Sequence, residues 1–231
     1  MKFKSFSIAG PKGNNQDAIL SPLEAGGCTW CAIADGVGSS ALGGLAARTS
    51  IESVQEISGT EDMAEVFSHI QRKLIEIARE HETSKSISTT LSILRICGER
   101  ATVGHVGDTR ISHYRGKGVM ARTKDQTEVQ KLLDDGAITK FQAARYPRRN
   151  VLLSAMSAGK EYDLQEREFD LRAGDRILLT SDGFHGKVLR RHIAQLSSHN
   201  TAFEEFWSGL QNVLSELTFE DDASCLAVEI D

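Results

Sequence analysis

The sequence predicts an α+β fold in which antiparallel β-sheets carry helices on their outer faces. Short apolar runs rich in β-branched residues follow one another along most of the 231-residue chain. Tight turns that contain glycine separate several of these runs, and such turns join antiparallel neighbours. Longer segments between them repeat apolar residues at helical spacing. No linker separates two compositions, so we predict one domain over residues 1–231.

Nine strands are predicted from the apolar runs. They span residues 3–9, 18–20, 29–34, 88–96, 101–106, 110–114, 164–169, 176–180 and 224–230. The segment Gly98-Glu99-Arg100 separates two of these strands and predicts a hairpin, and so does Arg115-Gly116-Lys117-Gly118.

Two long helices are predicted from apolar residues that recur every three or four positions. The first contains Met63, Phe67, Ile70, Leu74 and Ile77, and the second contains Phe203, Phe206, Leu210, Val213, Leu214 and Leu217. The same spacing predicts a helix over 44–57, from Ala47, Ile51 and Val54, and shorter helices over 125–134 and 188–196.

The charge and hydropathy of the chain exclude several classes of partner. The formal net charge is −5, and the isoelectric point is near 5.8. The nearest approach to a basic block is Arg145, Arg148 and Arg149, which is typical of a solvated loop, so we expect no nucleic acid and no anionic membrane as partner. No apolar run is long enough for a membrane span and the N-terminus lacks a signal-peptide core, so we expect a monomeric cytoplasmic protein.

The four cysteines favour packing over chemistry. Cys28 and Cys31 form a single C-x-x-C, which could be half a zinc site or a redox pair, but no second pair of ligands completes it. Residues three apart on a strand point to opposite faces. We therefore predict that Cys28 and Cys31 pack in the core, together with Cys97 and Cys225 in other strand-like runs.

Five aspartates end a strand, follow it or lie in a glycine-containing turn. They are Asp17, Asp35, Asp108, Asp182 and Asp221. Carboxylates that converge at a sheet edge repel one another unless a cation lies between them. The available donors are oxygens, which suit Mg²⁺ or Mn²⁺ better than Zn²⁺. Glycine after Asp35 and Asp182 also allows close backbone approach. The alternative is that each Asp-Gly pair is an ordinary turn, because only the fold can bring these residues together.

These motifs, in this order, resemble those of the type 2C metal-dependent serine/threonine protein phosphatases, in a compact, bacterial-like form. The matching segments are Lys12-Gly-Asn-Asn-Gln-Asp17, Ala34-Asp-Gly-Val-Gly-Ser39, Ser88-Thr-Thr90, Val106-Gly-Asp-Thr-Arg110, Asp125-Gln-Thr127, Arg149-Asn-Val-Leu152, Gly174 to Gly183 and Asp221-Asp-Ala-Ser224. The resemblance covers nearly the whole chain. It implies a four-layer α-β-β-α sandwich with two antiparallel sheets, and a flap-like segment over about 123–150.

The resemblance also implies roles for individual residues. Asp35 would bridge two Mn²⁺ or Mg²⁺ ions, the carbonyl of Gly36 would bind one of them, and Asp182 and Asp221 would bind the other. Asp17 resembles the acid that holds a metal-bound water, and Asp108 would bind a third, weaker ion together with Asp182. The expected reaction is attack of a metal-activated water on phosphoserine or phosphothreonine in proteins that a cognate kinase has phosphorylated.

Two departures from the family pattern bear on the reaction. Lys12 stands where the family has a phosphate-gripping arginine, so we expect a catalytic, phosphate-binding lysine with a weaker grip; the alternative is an idle surface lysine. Val37 stands where some members have a histidine that protonates the leaving group. His185 is a candidate replacement, although a surface histidine is the favoured interpretation.

Two other functions remain open at this stage. The chain could be a family member that binds phosphoproteins without turning them over, as the departures at Lys12, Ser39, Tyr146 and Gly186 would allow. It could also be a metal-dependent phosphoesterase that acts on small molecules. No cysteine lies in a C-x₅-R loop, which argues against a cysteine-dependent phosphatase.

Overall fold

The computed structural model describes residues 1–11, 13–38, 41–81 and 87–231. Eleven strands are found in these residues: β1 Lys2–Ile8, β2 Asp17–Ala25, β3 Cys28–Gly36, β4 Ser88–Cys97, β5 Arg100–Val106, β6 Arg110–Arg115, β7 Gly118–Ala121, β8 Met156–Ser157, β9 Gln165–Asp170, β10 Arg176–Thr180 and β11 Ala223–Glu229. The helices are α1 Ala41–Gln55, α2 Met63–Glu80, α3 Glu128–Asp134, α4 Lys140–Ala143, α5 Asp182–Lys187, α6 Arg190–His199 and α7 Phe203–Ser215.

The strands form two antiparallel sheets. One has the order β1-β11-β10-β6-β7, and the other has the order β2-β3-β4-β5-β9, with β8 paired to β4. Apolar residues of both sheets, among them Ile33, Leu94, Ile111, Leu179 and Leu226, form one buried cluster, which lies between the sheets. The predicted antiparallel arrangement is confirmed.

The outer face of each sheet is covered by helices. Residues of α1 and α2 pack on the six-stranded sheet, and Phe67 and Ile70 are fully buried there. Residues of α5, α6 and α7 pack on the five-stranded sheet around Phe184 and Phe206. Burial of one such side chain stabilises the fold by about 1.5–3 kcal/mol. The layers therefore follow the order helix, sheet, sheet, helix, which confirms the predicted sandwich.

The predicted elements differ from the structure mainly at their ends. The strand predicted over 18–20 is part of the longer β2, and β7 and β8 were not predicted. The helix predicted over 125–134 begins later because the side chain of Thr127 accepts a hydrogen bond from the Gln130 amide and caps α3. The Asp-Gly pair at 182 opens the short helix α5 instead of a simple turn.

The prediction for two cysteines is wrong. Cys28 and Cys97 form a disulfide with a Cα–Cα distance of 4.5 Å. Cys28 precedes Thr29, and Cys97 follows Ile96. Thr29 and Ile96 are partners in the antiparallel β3–β4 pair. Cys31 and Cys225 are buried free thiols, as predicted. None of the described helices combines the length and the apolar character needed to cross a membrane.

Candidate metal centre

The predicted aspartates lie at one end of the sandwich, where the two sheets meet. Asp17 and Asp35 are directly opposite each other in the β2–β3 pair. Asp108 lies in the turn that leads from β5 in one sheet to β6 in the other. Asp182 follows β10, and Asp221 precedes β11, both in the five-stranded sheet. Strand ends and turns of both sheets therefore carry these five residues.

A cleft of about 290 Å³ is the place where most of these residues meet. Its lining includes Asp35, Gly36, Asp108, Asp182 and Asp221. The structure therefore brings together five of the six residues that were predicted as metal ligands. The sixth, Asp17, is buried beside them.

The backbone around Asp35 is held by two threonines of β4. The hydroxyl of Thr89 donates to the Asp35 carbonyl at 2.8 Å, and the hydroxyl of Thr90 accepts from the Asp35 amide at 3.2 Å. A Cβ atom at Gly36 would lie 2.3 Å from the carbonyl carbon of Gly43 in α1. Only glycine at position 36 permits β3 and α1 to approach this closely, so the end of β3 presents backbone atoms without a side chain to the cleft.

Asp17 is an incompletely satisfied buried carboxylate. The hydroxyl of Ser181 donates to its Oδ2 atom at 2.7 Å, and this hydroxyl in turn accepts from the Ser224 amide at 2.9 Å. The Oδ1 atom is buried and has no hydrogen-bond partner. Burial raises the pKa of Asp17 to about 7. An unpartnered buried carboxylate oxygen is costly, and a cation or water that reached it would remove that cost.

The surroundings of the other carboxylates also disfavour their charged forms. Burial raises the pKa of Asp35 well above its usual value, and repulsion from Asp17, Asp182 and Asp108 adds to this. Burial likewise raises the pKa of Asp108 to about 7. Burial also raises the pKa of Asp182, and repulsion from Asp221 is the next largest cause. For Asp108 and Asp182, burial and repulsion between carboxylates outweigh the attraction of Arg110.

The donor set fits hard divalent cations. It consists of carboxylate oxygens and the Gly36 carbonyl, which Mg²⁺ and Mn²⁺ prefer. Within the described ranges, no three His, Cys, Asp or Glu side chains close around a single point as a ready-made ion site would. Instead, the carboxylates of Asp35 and Asp182 lie near each other, and the repulsion from Asp182 adds to the rise in the pKa of Asp35. A cation bound between them would remove this repulsion.

The turn that carries Asp108 is held by Gln126, which the sequence analysis missed as a site residue. Its side-chain oxygen accepts from the Gly107 amide at 2.7 Å, and its own amide donates to the Gly107 carbonyl at 2.8 Å. Its side-chain nitrogen donates to the Asp163 carbonyl at 2.6 Å. Gln126 thus joins the Asp108 turn to the base of the flap-like segment, residues 123–150.

Two further side chains support the same turn. Arg110 donates two hydrogen bonds to Asp125, at 2.8 and 2.5 Å. The Nε2 atom of His185 lies 3.0 Å from the Asp108 carbonyl and donates to it. Burial lowers the pKa of His185 to about 3, so the ring is neutral at physiological pH. His185 is half-buried and binds the Asp108 turn, so it is more than the ordinary surface histidine that was favoured. A neutral ring whose proton is engaged does not fit the role of a general acid.

The loop before β2 is fastened by Asp222, also not predicted. Its two carboxylate oxygens accept from the amides of Gly10 and Gln16, each at 2.8 Å. Lys12 and Ser39 lie outside the described residues. The sequence signal for Asp222 was its place beside Asp221, which drew attention only to the neighbour.

A search for related proteins agrees with this arrangement. A family model described as Protein phosphatase 2C matches residues 11–222. The chain belongs to the protein phosphatase 2C family. Its predicted resemblance is therefore confirmed, and the two sheets described above are those of this family.

Bacterial members of the protein phosphatase 2C family are the relatives found. Protein phosphatase PhpP of Streptococcus pneumoniae is 28% identical over 184 residues, which are 76% of this chain and 75% of PhpP. Serine/threonine protein phosphatase PstP of Mycobacterium tuberculosis is 30% identical over 77% of this chain and 35% of PstP. A crystal structure of a PstP catalytic domain in complex with two manganese ions has a TM-score of 0.80 at 25% identity, and the match covers 100% of this chain and 98% of that one.

Proposed function

We propose that the chain is a metal-dependent phosphatase that hydrolyses phosphoserine and phosphothreonine in proteins. The observation that supports this most is the cleft in which the carboxylates of Asp35, Asp108, Asp182 and Asp221 meet. Membership of the protein phosphatase 2C family supports the class of reaction. The phosphatase names of PhpP and PstP support a phosphoprotein as the substrate.

The proposed ligands are the predicted ones. Asp35 and the Gly36 carbonyl would hold one Mn²⁺ or Mg²⁺ ion, and Asp35, Asp182 and Asp221 would hold a second. Asp108, with Asp182, would hold a third and weaker one. The two manganese ions in the PstP complex support a site for at least two ions.

The protein contributes position and proton handling to the reaction. Two bound cations would supply Lewis acidity, which lowers the pKa of a water that attacks phosphorus in line with the departing serine or threonine oxygen. Asp17, whose buried Oδ1 atom has no hydrogen-bond partner in the described structure, would accept a hydrogen bond from that water. Ser181 fixes the other oxygen of Asp17 and so orients it. Lys12 is the proposed phosphate-binding cation.

The experiment is a titration of phosphopeptide hydrolysis with Mn²⁺ for the wild type and for Asp182→Asn. We expect activity that requires Mn²⁺ and a fall of at least about 100-fold in Asp182→Asn, because changing even an outer-shell partner of a metal ligand costs about 10- to 100-fold and Asp182 is a proposed ligand itself. Asp135→Asn is the matched control, since Asp135 is an exposed carboxylate at the end of α3. Wild-type protein that stays inert at saturating Mn²⁺ would contradict the proposal.

The same assay separates the alternatives. A chain that bound phosphopeptides without turnover would be a phosphoprotein-binding regulator. A chain that cut small phosphate esters while ignoring phosphopeptides would be a small-molecule phosphoesterase. Changing Lys12 to alanine should raise the KM for a phosphopeptide, and unchanged kinetics would remove Lys12 from the site.

The proposed setting is the cytoplasm, where a monomer would act on the substrates of a cognate serine/threonine kinase. Reducing compartments keep most protein thiols free. We therefore expect Cys28 and Cys97 to be reduced in the cell and to pair only on oxidation. Thiol labelling of rapidly quenched cells distinguishes the two states, and a stable disulfide under those conditions would argue against this location.

A further inference from the structure

A groove of about 670 Å³ leads away from the carboxylate cleft along the flap-like segment. It shares Asp108, Asp182 and Asp221 with the cleft, so the two spaces are continuous. Its flap wall includes Lys140 and Arg149. A peptide whose phosphate lay in the cleft would therefore pass along this wall.

Most other charges that line the groove are already neutralised within the protein. Arg110 is bound to Asp125 by two hydrogen bonds. On the opposite wall, Lys187 donates to Glu220 at 2.9 Å. Neither pair has charge to offer a ligand.

The remaining charges fall into two sets. Asp108, Asp182 and Asp221 are the proposed metal ligands, and bound cations would neutralise them. Lys140 and Arg149 are exposed, and neither has a carboxylate within ion-pair distance among the residues that the structure describes. Arg149 acts on Glu220 only through longer-range attraction, and Glu220 is already paired with Lys187.

We propose that this groove selects phosphopeptides that carry acidic residues beside the phosphorylated serine or threonine, and that Lys140 and Arg149 are the residues that determine this preference. The inference rests on the proposed phosphatase function and names its substrate class. Both cations lie on the same wall, and both retain free donors for carboxylates. Once metals fill the cleft, the two cations carry the uncompensated charge of the groove, so opposite charge in the ligand is favoured.

The test compares two phosphopeptides that differ only in the residues next to the phosphoserine, glutamates in one and glutamines in the other. At low salt with saturating Mn²⁺, we expect the kcat/KM of the glutamate peptide to be higher by about 3- to 10-fold, as two exposed ion pairs would give. In the double variant Lys140→Gln/Arg149→Gln, this ratio should fall to about one. High salt should reduce the wild-type ratio in the same direction.

A matched control removes the same amount of charge elsewhere. Lys117 lies in the β6–β7 turn and Arg172 lies in the turn before β10, and both are exposed. The double variant Lys117→Gln/Arg172→Gln should keep the wild-type ratio, which excludes an effect of net charge alone. A wild-type ratio near one, or a ratio that survives in Lys140→Gln/Arg149→Gln, would overturn the inference.

The outcome can be separated from that of the proposed function. If the glutamine peptide is hydrolysed as fast as the glutamate peptide, the phosphatase function stands and the groove inference fails. If neither peptide is hydrolysed, the phosphatase function fails, and fluorescence anisotropy with labelled forms of the two peptides then decides the inference. Tighter binding of the glutamate peptide that Lys140→Gln/Arg149→Gln abolishes supports it, and equal affinities overturn it.

Discussion

The two ends of strand β10 carry a buried aspartate and a half-buried one, in opposite electrostatic settings. Asp175 comes directly before the strand, and Asp182 comes two residues after its end. At the Asp175 end, cationic or proton-donating groups surround the carboxylate. At the Asp182 end, the charged neighbours are mostly other carboxylates, and the attraction of Arg110 does not offset them. The same sheet therefore holds one charged cluster that is complete and one that is not.

The Asp175 end is compensated within the chain. Arg115 donates to both carboxylate oxygens, at 2.7 and 2.6 Å, and the Arg172 amide donates at 2.8 Å. The Nε2 atom of His113 lies 2.9 Å from Asp175, and Arg122 donates to the Nδ1 atom of the same ring at 2.7 Å. Burial alone would raise the pKa of Asp175, but these donors hold it below its usual value.

The Asp182 end is not compensated. The pKa values of Asp17, Asp35, Asp108 and Asp182 are all raised, first by burial. Proteins keep buried charges paired unless a metal or a function requires otherwise. A difference of this kind is what the proposed metal site requires, and it can be measured as stability.

The largest effect is expected at the compensated end. Asp175→Asn should lower the free energy of unfolding by about 3 kcal/mol, because it leaves Arg115 and His113 without their buried partner. Chemical denaturation of the metal-free protein measures this. Asp170→Asn is the control, since Asp170 is exposed and offers Arg115 only its backbone carbonyl. A loss equal to that of the control would show that the Asp175 cluster contributes nothing.

The next effect is expected from metal at the other end. Mn²⁺ at about 100 times its dissociation constant should stabilise the wild type by about 2.7 kcal/mol, since it binds the folded state. For a chain of this size that corresponds to a rise of roughly 5–10 °C in Tm. Asp35→Asn should show no rise in Tm with Mn²⁺. Asp175→Asn should show the same rise as the wild type, starting from a lower Tm. Equal melting with Mn²⁺ and with a chelator would contradict a cation site.

The contrast between the ends could be predicted only in part from the sequence. Asp182 stood out because an apolar strand and an Asp-Gly pair mark it, and the resemblance supplied its partners. The partners of Asp175 gave no such signal, because Arg115 and His113 are 60 and 62 positions away and only the β6–β10 register brings them near. Antiparallel sheets with helices outside followed from local pattern, but the stacking of two sheets into a four-layer sandwich came from the resemblance.

Register also explains the features that were missed. Cys28 and Cys97 are 69 residues apart. They meet only because the antiparallel pairing of β3 and β4 places the start of β3 beside the end of β4. Gln126 forms its hydrogen bonds with the backbone of Gly107, so the identity of residue 107 does not predict this contact. Strands β7 and β8 have four and two residues, too few for a two-residue period to show. Local chemistry was predictable, and contacts that depend on pairing were not.

The two buried histidines repeat the contrast and allow a pH test. His113 faces the Asp175 carboxylate, whereas the Nδ1 atom of His105 lies 2.8 Å from the neutral Ser92 hydroxyl. Burial lowers the pKa of His105 to about 4. The unfolded chain therefore takes up a proton near its usual pKa of about 6.5 while the folded chain does not, so stability is lost as pH falls from there toward 4.

His105→Gln should make unfolding less sensitive to acid. Between about pH 7 and pH 5, the wild type should lose about 2 kcal/mol through this histidine, and the variant should not. The measurement is the free energy of unfolding of both proteins at the two pH values. The variant is expected to be the less stable protein at pH 7, with a smaller deficit at pH 5. Parallel losses would show that the ring is not held neutral by burial.

The smallest effect has the opposite sign to the first and tests the contrast most directly. Asp182→Asn should raise the stability of the metal-free protein by about 1 kcal/mol, because it removes one of several like charges from a poorly solvated cleft and leaves a group that can still bond to Asp35. The same change should abolish the gain from Mn²⁺. An aspartate whose loss stabilises the protein is retained for a reason other than folding, whereas one whose loss destabilises it, as expected for Asp175, is part of the scaffold. If both variants lose stability without metal, the carboxylates at the cleft are balanced by the chain itself and the case for bound cations weakens.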